Sequence, residues 1–154
     1  MEALAIARAL HVLGVVVWIG GVAMVTTIVF SAARRLPNGI KVAEAIERRF
    51  AVQARIATVI VGASGFYMVD RLDAWERFQA IGFWWMHAMV AVWLLFTLIL
   101  FIAEPLFLHR WFEDCARADP DGTLAVVTRL HWMLLIVSLI TVLGAVAGSH
   151  GLFL

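Results

Sequence analysis

The residues best suited to do chemistry in this sequence are its histidines, because an imidazole both binds metals and carries protons near neutral pH. His11 sits in the stretch LHVLGVVVWIGG (10–21), His87 follows the pair Trp84-Trp85, and His150 closes the near-terminal GSHG. His109 and His131 flank a charged segment further back. An ionisable side chain inside apolar sequence is costly enough to be a functional candidate by default. On a helix, Gly14, Trp18 and Gly21 follow His11 at intervals of three, four and three, so all four project from one face. An imidazole with glycines on its own face suits a flat, wide ligand held close to the backbone, and a histidine with apolar walls is how a b-type haem is held. Arg8, one turn above His11, is placed to meet a propionate. The same glycines would equally serve close helix packing, as Gly62 with Gly65 and Gly144 with Gly148 are expected to do. His11, His87 and His150 with Met86, Met89 or Met24 could instead hold copper, which accepts imidazole and thioether ligands.

The elements that must position these residues are membrane helices. Of 154 residues, 64% are hydrophobic, and the mean hydropathy is +0.95, well above the roughly 45–50% apolar content of a soluble domain. Four apolar runs, 9–33, 50–69, 81–103 and 130–148, are each about as long as the roughly 20 residues a bilayer requires. They are too long and too uniformly apolar for barrel strands. The predicted architecture is an all-α integral membrane four-helix bundle, one transmembrane domain over 1–154 with helices at about 3–33, 43–70, 79–108 and 123–150. Leu36-Pro37-Asn38-Gly39, Asp70 with Asp73, and Ala118-Asp119-Pro120-Asp121-Gly122 punctuate it. The first apolar run is too long for the core of a signal peptide and is read as retained.

Lys41 and seven arginines, Arg34, Arg35, Arg48, Arg49, Arg110, Arg117 and Arg129, fall on one side, against Arg8, Arg71 and Arg77 on the other. The positive-inside rule then places both termini outside, periplasmic in a bacterial inner membrane. A net charge of +1 gives no footprint for nucleic acid, and the lone Cys115 excludes an intrachain disulfide. In this topology His11, His87 and His150 approach the outer face from three helices, with Trp84 and Trp85 expected as interfacial anchors. His109 and His131 approach the inner face, where they would offer a second site. Arg55 and Glu104 lie at similar depth near the inner side and are expected to form an ion pair, with a proton path as the sharper alternative.

LHVLGVVVWIGGV (10–22), ERRFAVQARIATVIVGASGFYMV (47–69) and WWMHAMVAVWLLFTL (84–98) resemble the copper-resistance D type membrane domain and the related HemJ-type protoporphyrinogen oxidases over about the first 105 residues. The resemblance implies a four-helix bundle with His11 as a haem ligand, joined by His87. The chain departs from the pattern at Met89, where a lysine is common, and lacks the Asn-Glu-x-Pro-like segment of HemJ-type chains.

The residues and the resemblance together predict a cytochrome b-like membrane protein. One haem b would lie near the outer face on His11 and His87, walled by Gly14, Trp18 and Gly21, with His150 as substitute ligand. A second haem on His109 and His131 is the extension of this expectation. Such a protein would be an oxidoreductase if an enzyme at all, exchanging electrons with a quinol or an external redox partner, with the bilayer as its surroundings and homo-oligomers compatible. The alternatives are a copper-binding or copper-transport protein and a HemJ-like protoporphyrinogen oxidase.

Overall fold

The computed structural model describes residues 2–152, apart from the side chain of His109. Four helices are long and apolar enough to cross a membrane: α1, Glu2–Ala33; α2, Gly39–Arg71; α3, Ile81–Leu108; and, after the short α4 (His109–Ala118), α5, Pro120–Ser149. No strand forms among the described residues. The long helices run up and down as a ring, α1 beside α2, α2 beside α3, α3 beside α5 and α5 beside α1, the arrangement that short connections favour. The start of α1, the end of α2, the start of α3 and the end of α5 share one face, called here the terminal face; the other is the loop face.

The boundaries differ from the sequence expectation where polar residues extend a helix beyond its apolar span. α2 begins at Gly39 rather than near 43, after Asn38 takes a left-handed conformation (φ 58°). Only glycine fits at 39, because a Cβ there would collide with the Ala33 carbonyl. Just past the added turn, the Glu44 carboxylate pairs with Arg48 at 3.2 Å, one turn away on the same helix. The Asp119-Pro120-Asp121-Gly122 stretch does not merely break the chain. Asp119 caps α5 by accepting the Gly122 N–H at 2.9 Å, and Pro120 occupies the first turn, where its missing N–H costs nothing.

Small residues bring the backbones together, as is usual where lipid leaves no hydrophobic drive for helix association. Ala51, Ala54 and Ala57 of α2 join Trp18, Val22, Phe96 and Leu135 in the central core, and Val25, Phe30, Ala33, Ala43, Leu124 and Val127 form a second cluster toward the loop face. Three glycines are notches for tryptophan rings. Trp93 fills the notch at Gly62, where a Cβ would lie 2.7 Å from the indole, and its N–H donates to the Thr58 carbonyl at 2.9 Å. Trp84 covers Gly144, and Trp85 covers Gly148. Trp85 is therefore 7% exposed, a buried lock between α3 and α5 rather than the interfacial anchor expected of it. The outer surfaces of the bundle carry Leu, Ile and Val, such as Val16 and Leu143, as lipid contact requires.

Beyond the 3₁₀ turn Ile81–Phe83 that opens α3, two segments of the long helices are π-helical. Val25–Val29 of α1 is π-helical, and the hydroxyls of Thr26 and Thr27 donate to the Val22 and Ala23 carbonyls, each at 2.7 Å. Ile99–Leu108 of α3 is a longer π segment with Pro105 inside it. In an i→i+5 ladder the donor for the Leu100 carbonyl would come from residue 105, and proline has none. That carbonyl has another partner, described below.

Candidate functional site

The face bearing His11, Gly14, Trp18 and Gly21 turns into the bundle and meets α2 along most of its length. The His11 ring rests over Gly65, where a Cβ would stand 3.1 Å from Cε1. Its Nδ1 is 3.0 Å from the Val61 carbonyl oxygen and 3.2 Å from Ser64 Oγ. A carbonyl can only accept, so Nδ1 carries the proton. Ser64 spends its own hydrogen on the Ile60 carbonyl at 2.6 Å and is left as a second acceptor. In a neutral imidazole this fixes the tautomer whose lone pair is on Nε2, and no hydrogen bond to Nε2 occurs among the described residues. A backbone acceptor on the distal nitrogen is how ligating histidines are oriented.

The glycines divide differently from the expectation. Gly14 faces Val61, whose Cγ2 would stand 2.8 Å from a Cβ at 14, and Gly21 receives the Phe50 ring. Both gaps are filled by α2 side chains. The glycine that makes room for the His11 ring is Gly65, on the opposing helix. Trp18 is 3% exposed and meets Phe96 edge to face, ring centroids 4.9 Å apart; its buried indole N–H has no acceptor among the described residues. Arg8 is exposed, on a shallow cleft with Ala5, Val12 and Val16 that does not include His11.

The other terminal-face histidines do not converge on His11. His87 is exposed and packs edge to face on Phe78 of the connecting segment, centroids 5.4 Å apart. His150 lies exposed just past α5, its Nδ1 2.8 Å from the Val146 carbonyl. Among the described residues no group of three His, Cys, Asp or Glu side chains is placed to share a metal ion. Met86 is buried, while Met24 is exposed. The described residues thus present one oriented imidazole, His11, with no second imidazole brought to face it and with Val61 and Phe50 packed against Gly14 and Gly21.

Toward the loop face, His131 has both nitrogens engaged. Nδ1 is 3.0 Å from the Val127 carbonyl, Nε2 is 3.4 Å from Glu47 Oε1, and the ring meets Phe30 edge to face at 4.8 Å. Glu47 was not singled out by the sequence; the signal lay in its place on the same α2 face as Ala43, Ala51 and Ala54, within the helix already expected over 43–70. The side chain of His109, the other inner candidate, lies outside the described residues. Arg55 and Glu104 do pair, at 2.8 Å. Arg55 Nε also donates to the Leu100 carbonyl at 3.0 Å, the carbonyl that Pro105 leaves without its π-ladder donor. One guanidinium therefore answers both an acid and a backbone defect in the neighbouring helix.

A comparison with protein-family models finds no match, and neither the curated proteins nor the solved structures contain one.

Proposed function

We propose that this chain is an integral membrane b-type haem protein in which His11 is an axial ligand through Nε2, exchanging electrons with a quinol or an external redox partner. The observation that carries the reading is the anchoring of His11 Nδ1 to the Val61 carbonyl within a membrane span, which orients a free Nε2 and forbids the other tautomer. Haem held there would supply one-electron exchange. The protein's own part is to hold the imidazole: Val61 and Ser64 fix its orientation and Gly65 gives it room. His87 and His150, exposed on the same face but not brought to His11, are the residues that would have to move to supply a second ligand. The Lys/Arg asymmetry supports both termini on the outer side, which is the periplasm if the membrane is a bacterial inner membrane.

Copper binding is the weaker proposal, because the three imidazoles it needs each have separate local partners. The deciding experiment is the reduced-minus-oxidised absorption spectrum of the purified protein, with haem and copper quantified on the same sample. Sharp Soret and α bands with stoichiometric haem support the proposal. A colourless protein with stoichiometric copper replaces it with the copper reading, and a protein containing neither removes both.

A further inference from the structure

We propose that the cleft between α1 and α2 is a binding site for one acidic phospholipid, its phosphate held by Arg49 and Gln53 and one acyl chain lying in the groove above them. The cleft encloses about 400 Å³ and is walled by apolar side chains, among them Leu13, Val17 and Ile56. Gly14 and Ala57, where the two backbones approach closely, form its floor. Only Arg49 and Gln53 of its lining are polar, and both lie at the end nearest the loop face.

The depth of these groups matches a lipid. Arg49 immediately precedes the apolar run that begins at Phe50, so it stands at the hydrocarbon boundary, where phosphates lie. From Arg49 to Ile60 at the far end is eleven residues, about 16 Å of helix. A single leaflet is about half of the roughly 30 Å hydrocarbon thickness. The groove therefore runs from headgroup level to the bilayer midplane, as an acyl chain does.

The charges point the same way. Arg48 is paired with Glu44, whereas neither Arg49 nor Gln53 has a hydrogen bond or ion pair among the described residues. Gln53 presents its amide one turn inside the apolar span, exposed on the lipid side, where an unpaired polar group is costly. An anionic phosphate satisfies both groups: the guanidinium binds it with charge-assisted bonds and the amide N–H donates a further one. Basic pockets between helices at the membrane surface hold acidic headgroups in this way.

The test is native mass spectrometry of the delipidated protein in detergent, titrated with phosphatidylglycerol or with phosphatidylcholine of the same acyl chains. One phosphatidylglycerol should be retained per chain, preferred by about fivefold, the increment expected for one cation near the surface. The double variant Arg49→Ala/Gln53→Ala, both exposed positions, should lose the preference, while Arg34→Ala, outside the cleft, should keep it. Leu13→Trp, which fills the groove and touches neither polar group, should lower retention as well. Equal retention of the two lipids, an unchanged preference in the double variant, or displacement of phosphatidylglycerol by a neutral quinone at equal concentration would each overturn the proposal.

Discussion

Replacing Arg55 by leucine removes two bonds from one place: the 2.8 Å contact to Glu104 and the 3.0 Å bond to the Leu100 carbonyl. It leaves behind a carboxylate and a carbonyl without its ladder donor. Breaking a buried pair by removing one partner costs about 3–5 kcal/mol. Because both side chains here are about one-third exposed, the lower end applies, and Arg55→Leu is expected to destabilise the bundle by about 3 kcal/mol. Glu104→Leu should cost somewhat less, since the guanidinium keeps its bond to Leu100. In the double variant only the carbonyl remains unanswered, so the two losses should fall short of additivity by about 2 kcal/mol. Pro105→Ala supplies the missing N–H, and in that background Arg55→Leu should cost about 1 kcal/mol less. Unfolding of the purified protein in mixed micelles, followed by circular dichroism against rising SDS, reads all four quantities. Additivity of the two single losses to within about 0.5 kcal/mol, or an Arg55→Leu cost unaffected by Pro105→Ala, would refute the assignment of Arg55 as partner to both groups.

Two further outcomes follow from the positions of the glycines and of Cys115. Gly14→Leu drives a side chain into Val61 and should lower stability by about 1–3 kcal/mol, with haem per folded protein unchanged, whereas Gly65→Leu displaces the His11 ring and should lower haem per folded protein; thermal denaturation beside a haem assay separates the two effects. Cys115, half-buried in α4 on the loop face, should be modified in intact cells only by thiol reagents that cross the membrane; labelling by an impermeant reagent would reverse the proposed orientation.

The spans were legible in the sequence because apolar length alone decides them, and the Arg55–Glu104 pair was legible because two ionisable groups at one depth have few alternatives to pairing. The π-helical stretch around Pro105 was not, since the proline marks a break in the ladder without saying which register the backbone adopts around it. The face shared by His11, Gly14, Trp18 and Gly21 was read correctly as a face. What lay against it depends on the rotation of α2, which brings Val61 to Gly14, Phe50 to Gly21 and Gly65 to His11, and no periodicity within α1 contains that rotation. Trp84 and Trp85 show the same limit: neighbours on a helix point about 100° apart, and only packing against α5 decides that Trp85 is the buried one.

The most direct test of His11 as the haem ligand is chemical rescue. His11→Gly removes the imidazole while leaving the four spans intact, and free imidazole can enter the vacated space to bind iron in its place. The variant should purify with both haem and the low-spin α band strongly reduced, and reconstitution with haem in the presence of imidazole should restore the band. A His11→Gly protein that retains the wild-type haem ratio and an unchanged spectrum would contradict that role.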